Sequence, residues 1–101
     1  MEKTVVLFED PNMDAKDYNA IIKEMETAGT LYNEKRISHV SFERNGMWCV
    51  VDVWDSPESF AEFGQKVLQP IFAKLGLNPP QPTVLPAHSY MGAHAEETMS
   101  A

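Results

Sequence analysis

The spacing of apolar positions changes repeatedly along this chain, and each change predicts a new element. Lys3 to Phe8 (KTVVLF) is β-branched and apolar and is stopped by Asp10-Pro11-Asn12, as a short buried strand would be. From Met13 the period becomes helical: Tyr18, Ile21, Ile22, Met25 and Ala28 recur at three- and four-residue steps. Asn12 or Asp14 can cap the start of that helix, and Gly29 stands where a left-handed C-terminal cap is needed. Ile37 to Arg44 and Met47 to Asp55 read as two further strands. The Asn45-Gly46 pair between them suits a type I′ hairpin turn, which needs two residues tolerant of positive φ.

Ser56-Pro57-Glu58 opens a second helix, with Ser as cap, Pro at the first helical position and Glu favoured by the dipole. Phe60, Phe63, Val67, Leu68, Ile71, Phe72 and Leu75 make its apolar face. Pro70 removes one backbone hydrogen bond within it, which predicts a kink or break near Gln69. Gly76 ends the helix, and Asn78-Pro79-Pro80-Gln81-Pro82 forms a stiff connector. Thr83 to Tyr90 is the expected fourth strand, confined to a sheet edge or bulged by Pro86. Residues 1–91 thus read as one domain and 92–101 as a flexible tail.

The order β-α-β-β-α-β predicts an α+β, ferredoxin-like fold: a four-stranded antiparallel sheet, first and third strands central, both helices on one face. A two-residue turn sets Arg44 opposite Met47, and counting outward brings Phe42 opposite Cys49, His39 opposite Asp52 and Ile37 opposite Trp54. One face then carries Ser38, Val40, Phe42, Cys49, Val51 and Val53, and is small and dry enough to receive the helices. The other carries His39, Ser41, Glu43, Trp48, Val50, Asp52 and Trp54. Two tryptophans cannot be left in water on that face. The expected cover is the same face of a second copy, in a homodimer.

At 101 residues there is room for one domain, and 44% apolar with 23% charged residues exclude disorder for most of it. Fifteen acidic against eight basic residues, a net charge of −7, argue against a nucleic-acid partner and against an anionic membrane surface. No apolar run is long enough to span a bilayer, no signal pattern opens the chain, and the lone Cys49 has no partner for a disulfide; a cytoplasmic home follows. There is no phosphate loop, Rossmann fingerprint, CxxC or HExxH motif, and His39, His88 and His94 lack metal-ligand spacing, so neither a metal nor another cofactor is expected.

The segment Trp48-Cys49-Val50-Val51-Asp52-Val53-Trp54-Asp55-Ser56-Pro57-Glu58-Ser59-Phe60 resembles the third strand and second-helix start of the dimeric α/β-barrel superfamily. It is most similar to the small members related to antibiotic biosynthesis monooxygenases. The Pro-rich connector adds to the likeness, which covers roughly residues 3 to 90. The resemblance implies a substrate cavity between helices and sheet, lined by Tyr18, Met25, Phe60 and Phe63. Activities in the superfamily range from cofactor-free quinone-forming oxygenation through haem degradation and lactone isomerisation to no known reaction. Haem-degrading members carry an axial histidine on the second helix, and residues 56–76 contain none.

His39 beside Asp52 is the pair with the most chemical promise, because a carboxylate fixes the imidazole tautomer and favours the imidazolium, as a general base requires. Its alternative role is structural, each group satisfying the other at a buried interface. Trp48 and Trp54 suit either a stacking platform for a flat aromatic ligand or the core of the dimer interface. His88 and Tyr90 are a second candidate catalytic pair near the end of the last strand, or an ordinary half-exposed edge. Cys49 is expected as a buried, unreactive thiol against the helices. These readings lead to a cofactor-independent, monooxygenase-like enzyme or binder acting on a small aromatic or polyketide-like compound. The alternative is a non-catalytic dimeric ligand-binding or structural domain.

Overall fold

The β-branched run at the N-terminus forms β1 (Thr4–Asp10), followed by α1 (Ala15–Ala28), β2 (Arg36–Arg44) and β3 (Met47–Trp54) in a computed structural model that describes residues 3–92. The expected tail, Gly92 apart, lies outside the described residues, and His94 with it. Asp14 caps α1 by accepting from the Asp17 backbone N–H, and Gly29 ends it in the left-handed region at φ 75°. Asn45 and Gly46 both take positive φ, 53° and 78°, as a type I′ turn demands.

The second helical stretch runs through α2 (Pro57–Phe63), a π-helical turn (Gly64–Leu68) and α3 (Gln69–Leu75) without leaving helical backbone angles. A π turn thus stands where a kink or break near Gln69 was expected. Pro70 has no N–H to offer the preceding turn and its ring crowds the carbonyl four residues back. The wider turn absorbs this, the Gln69 N–H reaching back to the Gly64 carbonyl. β4 (Thr83–Pro86) stops at its proline and does not continue to Tyr90.

The result is an α+β arrangement of two helices on a four-stranded sheet ordered β2-β3-β1-β4, its paired strands antiparallel. β1 and β3 are central and β2 and β4 are the edges. The hairpin register runs from Arg44 opposite Met47 to Ser38 opposite Val53, with His39 opposite Asp52. It then shifts at a bulge, and Arg36, not Ile37, stands opposite Trp54. The extra residue reverses the side-chain alternation, turning Arg36 onto the face of Trp54.

The helices cover the face opposite to the one expected. The core joins Val6 and Trp54 of the sheet to Ile21 and Met25 of α1 and to Phe60, Phe63, Ile71 and Phe72 of the second helix. Trp54 is fully buried, with Phe63 and Phe60 rings 5.1 and 5.9 Å from its own. The physical reason is volume: bulky aromatic and branched side chains from both layers interdigitate at close-packed density, whereas the small β-branched face could not fill that gap. The face with Val40, Phe42, Val51 and Val53 is left uncovered within the protomer, Val40 and Phe42 being 54% and 40% exposed. Cys49 is buried, but on this open face between its cross-strand neighbours Glu9 and Phe42, not against the helices.

Candidate functional site

The inversion of faces brings His39 and Asp52 into the space beneath the helices, where Tyr18 projects from α1. Their register position makes them lateral neighbours, and the His39 Nδ1 to Asp52 Oδ1 distance is 2.6 Å. The Tyr18 hydroxyl lies 2.6 Å from His39 Nε2. An aspartate carboxylate only accepts, so Nδ1 carries a proton, and in the neutral imidazole Nε2 accepts from the tyrosine hydroxyl. The second carboxylate oxygen, Oδ2, accepts from the indole N–H of Trp54 at 3.2 Å. Four residues from α1, β2 and β3 thus form one directional chain: tyrosine to histidine to aspartate, with the tryptophan anchoring the far end. Asp52 is buried, whereas the His39 side chain is 27% exposed and lies at the boundary between protein and solvent.

Around this chain lies a cavity of about 70 Å³, bordered by Phe8 on β1, Trp48 and Val50 on β3, Ile22 and Met25 on α1, and Leu68 on the π turn. Tyr18, His39 and Asp52 also line it. The walls are mostly apolar with a few converging polar groups, the usual character of a small-molecule site. It has about half the roughly 150 Å³ at which an apolar cavity takes up benzene. A larger guest is wholly enclosed only if a wall moves.

Of the residues anticipated from the sequence, His39, Asp52, Tyr18, Met25, Trp48 and Phe63 border this space. Phe60 and Trp54 sit in the adjoining core, Trp54 holding Asp52. His88 and Tyr90 do not line the cavity and lie beyond β4, off the strand once expected to hold them. His88 is exposed, and the ring of Tyr90 lies 5.9 Å from the Lys3 ammonium.

Arg36 is the residue the sequence pattern missed. Its guanidinium donates to the Leu31 carbonyl at 2.6 Å and lies 5.5 Å from the Phe63 ring and 5.9 Å from that of Trp54. Only the bulge places it there, and no turn residue announces that bulge. Trp48 has a further property invisible in the sequence: its indole N–H is buried and has no acceptor among the described residues. No three His, Cys, Asp or Glu side chains among the described residues gather as metal ligands would, and no described helix is long and apolar enough to cross a membrane. Comparison with protein-family models, with curated proteins and with solved structures finds no match.

Proposed function

We propose that the cavity is a proton-transfer site for a small aromatic compound and that His39 is its general base. The Tyr18–His39–Asp52 chain carries this reading. A substrate hydroxyl taking Tyr18's place at Nε2 can yield its proton to the imidazole, and the Asp52 carboxylate stabilises the imidazolium that forms. With dioxygen as co-reactant, such a base suffices for cofactor-free, monooxygenase-like chemistry. A ring CH₂ conjugated with a carbonyl across the ring, as in an anthrone, enolises and His39 removes the enol proton. The electron-rich carbon is then oxygenated, and the CH₂ becomes C=O. One oxygen atom stays on carbon and the other leaves as water with the two hydrogens. His39 returns its proton to that departing oxygen.

The test is to incubate the protein with anthrone-type and single-ring phenolic compounds under dioxygen and under argon, following quinone absorbance. Product under dioxygen that falls by roughly 10²–10⁴-fold in His39→Gln is the expected result, the range that a positioned base contributes. Equal rates in His39→Gln and wild type would discard the reading. One observation favours a second reading, a non-catalytic domain: every polar atom of the Tyr18–His39–Asp52–Trp54 chain already has a partner. Absence of turnover across the panel would select it.

The assembly belongs to the same proposal. The strand order with both helices on one face supports a ferredoxin-like protomer, and the uncovered face supports a homodimer of the dimeric α/β-barrel kind. Val40, Phe42 and Leu85 are well exposed there, with Val5, Leu7, Val51 and Val53 half-buried between them. A continuous apolar sheet face of this sort is the kind of surface that homodimers bury. Light scattering at micromolar concentration should give twice the protomer mass; the protomer mass alone would reject the dimer.

A further inference from the structure

We infer that Tyr18 is a displaceable plug, and that the ligand replacing it is a single-ring hydroxy-carbonyl compound whose hydroxyl meets His39 Nε2 and whose carbonyl accepts from the Trp48 indole N–H. This rests on the proton-transfer reading above and adds to it the class of ligand and a specificity-determining residue.

The two indoles of the chain make the contrast. That of Trp54 is wholly buried and its N–H is held by Asp52. That of Trp48 borders the cavity, and its N–H is shut away from solvent with nothing to donate to. A buried donor left unmet is unfavourable, and natural structures seldom keep one without a use for it. One side chain stands beside both the Trp48 ring and the base. The Tyr18 ring lies 5.3 Å from that of Trp48, and 6.1 Å from the imidazole in a nearly parallel stack, 9° between planes.

Tyr18 is also a wall with room to move. It sits in the first turn of α1, half-buried, whereas Ile21 and Met25 further along the helix are locked in the core. Rotating it outward opens His39 Nε2 and uncovers the face of Trp48. The space it leaves admits a phenol ring, because the side chain removed is itself a phenol. The existing cavity of about 70 Å³ then receives a short acyl substituent. An apolar ring with an O–H directed to the base and a carbonyl oxygen directed to the indole satisfies both groups together.

The experiment titrates phenol, acetophenone, 3-hydroxyacetophenone and 4-hydroxyacetophenone into ¹⁵N-labelled protein. Indole N–H and imidazole resonances are followed, Trp48 being assigned through Trp48→Phe. At least one hydroxyacetophenone should bind roughly tenfold more tightly than phenol or acetophenone. The Trp48 indole proton should move downfield with the carbonyl-bearing probes only. Trp48→Phe should reduce the hydroxyacetophenones to the affinity of phenol, and Tyr18→Ala should tighten the whole series. If Trp48→Phe does not fold, the Trp48 indole proton is assigned by its through-space contacts with the Tyr18 ring, and its shift in the wild type decides. Probes that shift His39 while the Trp48 proton stays still overturn this inference and leave the proton-transfer site standing. Probes that shift neither overturn both.

Discussion

The two faces of the sheet are built from alternate residues of the same strands, yet they have opposite fates. One carries Val6, Trp48, Asp52 and Trp54, is roofed by both helices, and holds every hydrogen bond of the Tyr18–His39–Asp52–Trp54 chain. The other carries Val40, Phe42, Val51 and Val53 and lies away from both helices. The difference shows that hydrophobicity alone does not choose the interior. Both faces are apolar; the one with the larger side chains and the polar groups in need of partners is the one enclosed, because helices supply both complementary volume and hydrogen-bonding side chains.

The sharpest way to break this contrast is to truncate one large residue on each face. Trp54→Ala should cost about 3–5 kcal/mol, as the loss of a fully buried aromatic does, seen as a lower urea midpoint. A comparable loss for Phe42→Ala in the isolated protomer would contradict the assignment of faces. Next in size is Asp52→Ala, which strands the His39 and Trp54 donors at about 1–3 kcal/mol for an unmet buried group. Because the pair lies inside the protomer, this loss should fall on unfolding, and sedimentation should show the association constant unchanged. A weakened association with normal unfolding would return the pair to an interface.

Phe42→Ser tests the other side: the dissociation constant of the proposed dimer should rise by roughly tenfold, about 1.4 kcal/mol, with the circular dichroism of the protomer intact. Tyr18→Phe should have the smallest effect. It removes a single hydrogen bond to a partly exposed histidine, about 0.5–1.5 kcal/mol, while the ring contacts with Trp48 and His39 persist. A larger loss would mean that the hydroxyl organises more of the site than its one bond.

Much of the site was legible as pairs and little of it as a place. His39 opposite Asp52 follows from Asn45-Gly46 alone, since a two-residue turn leaves one register and the pleat puts direct partners side by side. The stripe Tyr18, Ile21, Ile22 and Met25 was equally readable. That the hydroxyl of Tyr18 would meet the imidazole was not, because the reading put the pair on the far side of the sheet from α1. Arg36 was hidden for a related reason: a single bulged residue reverses which way every earlier side chain on the strand points.

By itself, then, the sequence determined what is local. Turn chemistry at Asn45-Gly46, the caps at Ser56, Gly29 and Gly76, and the two periodicities follow from constraints on a few neighbouring residues. The tertiary structure decided which face the helices cover, how the helix accommodates Pro70, and therefore that a tyrosine, a histidine and an aspartate share one cavity. Those outcomes depend on the packed volume of side chains far apart in the chain, and the alternation of a strand presents both of its faces to the helices on equal terms until that packing selects one.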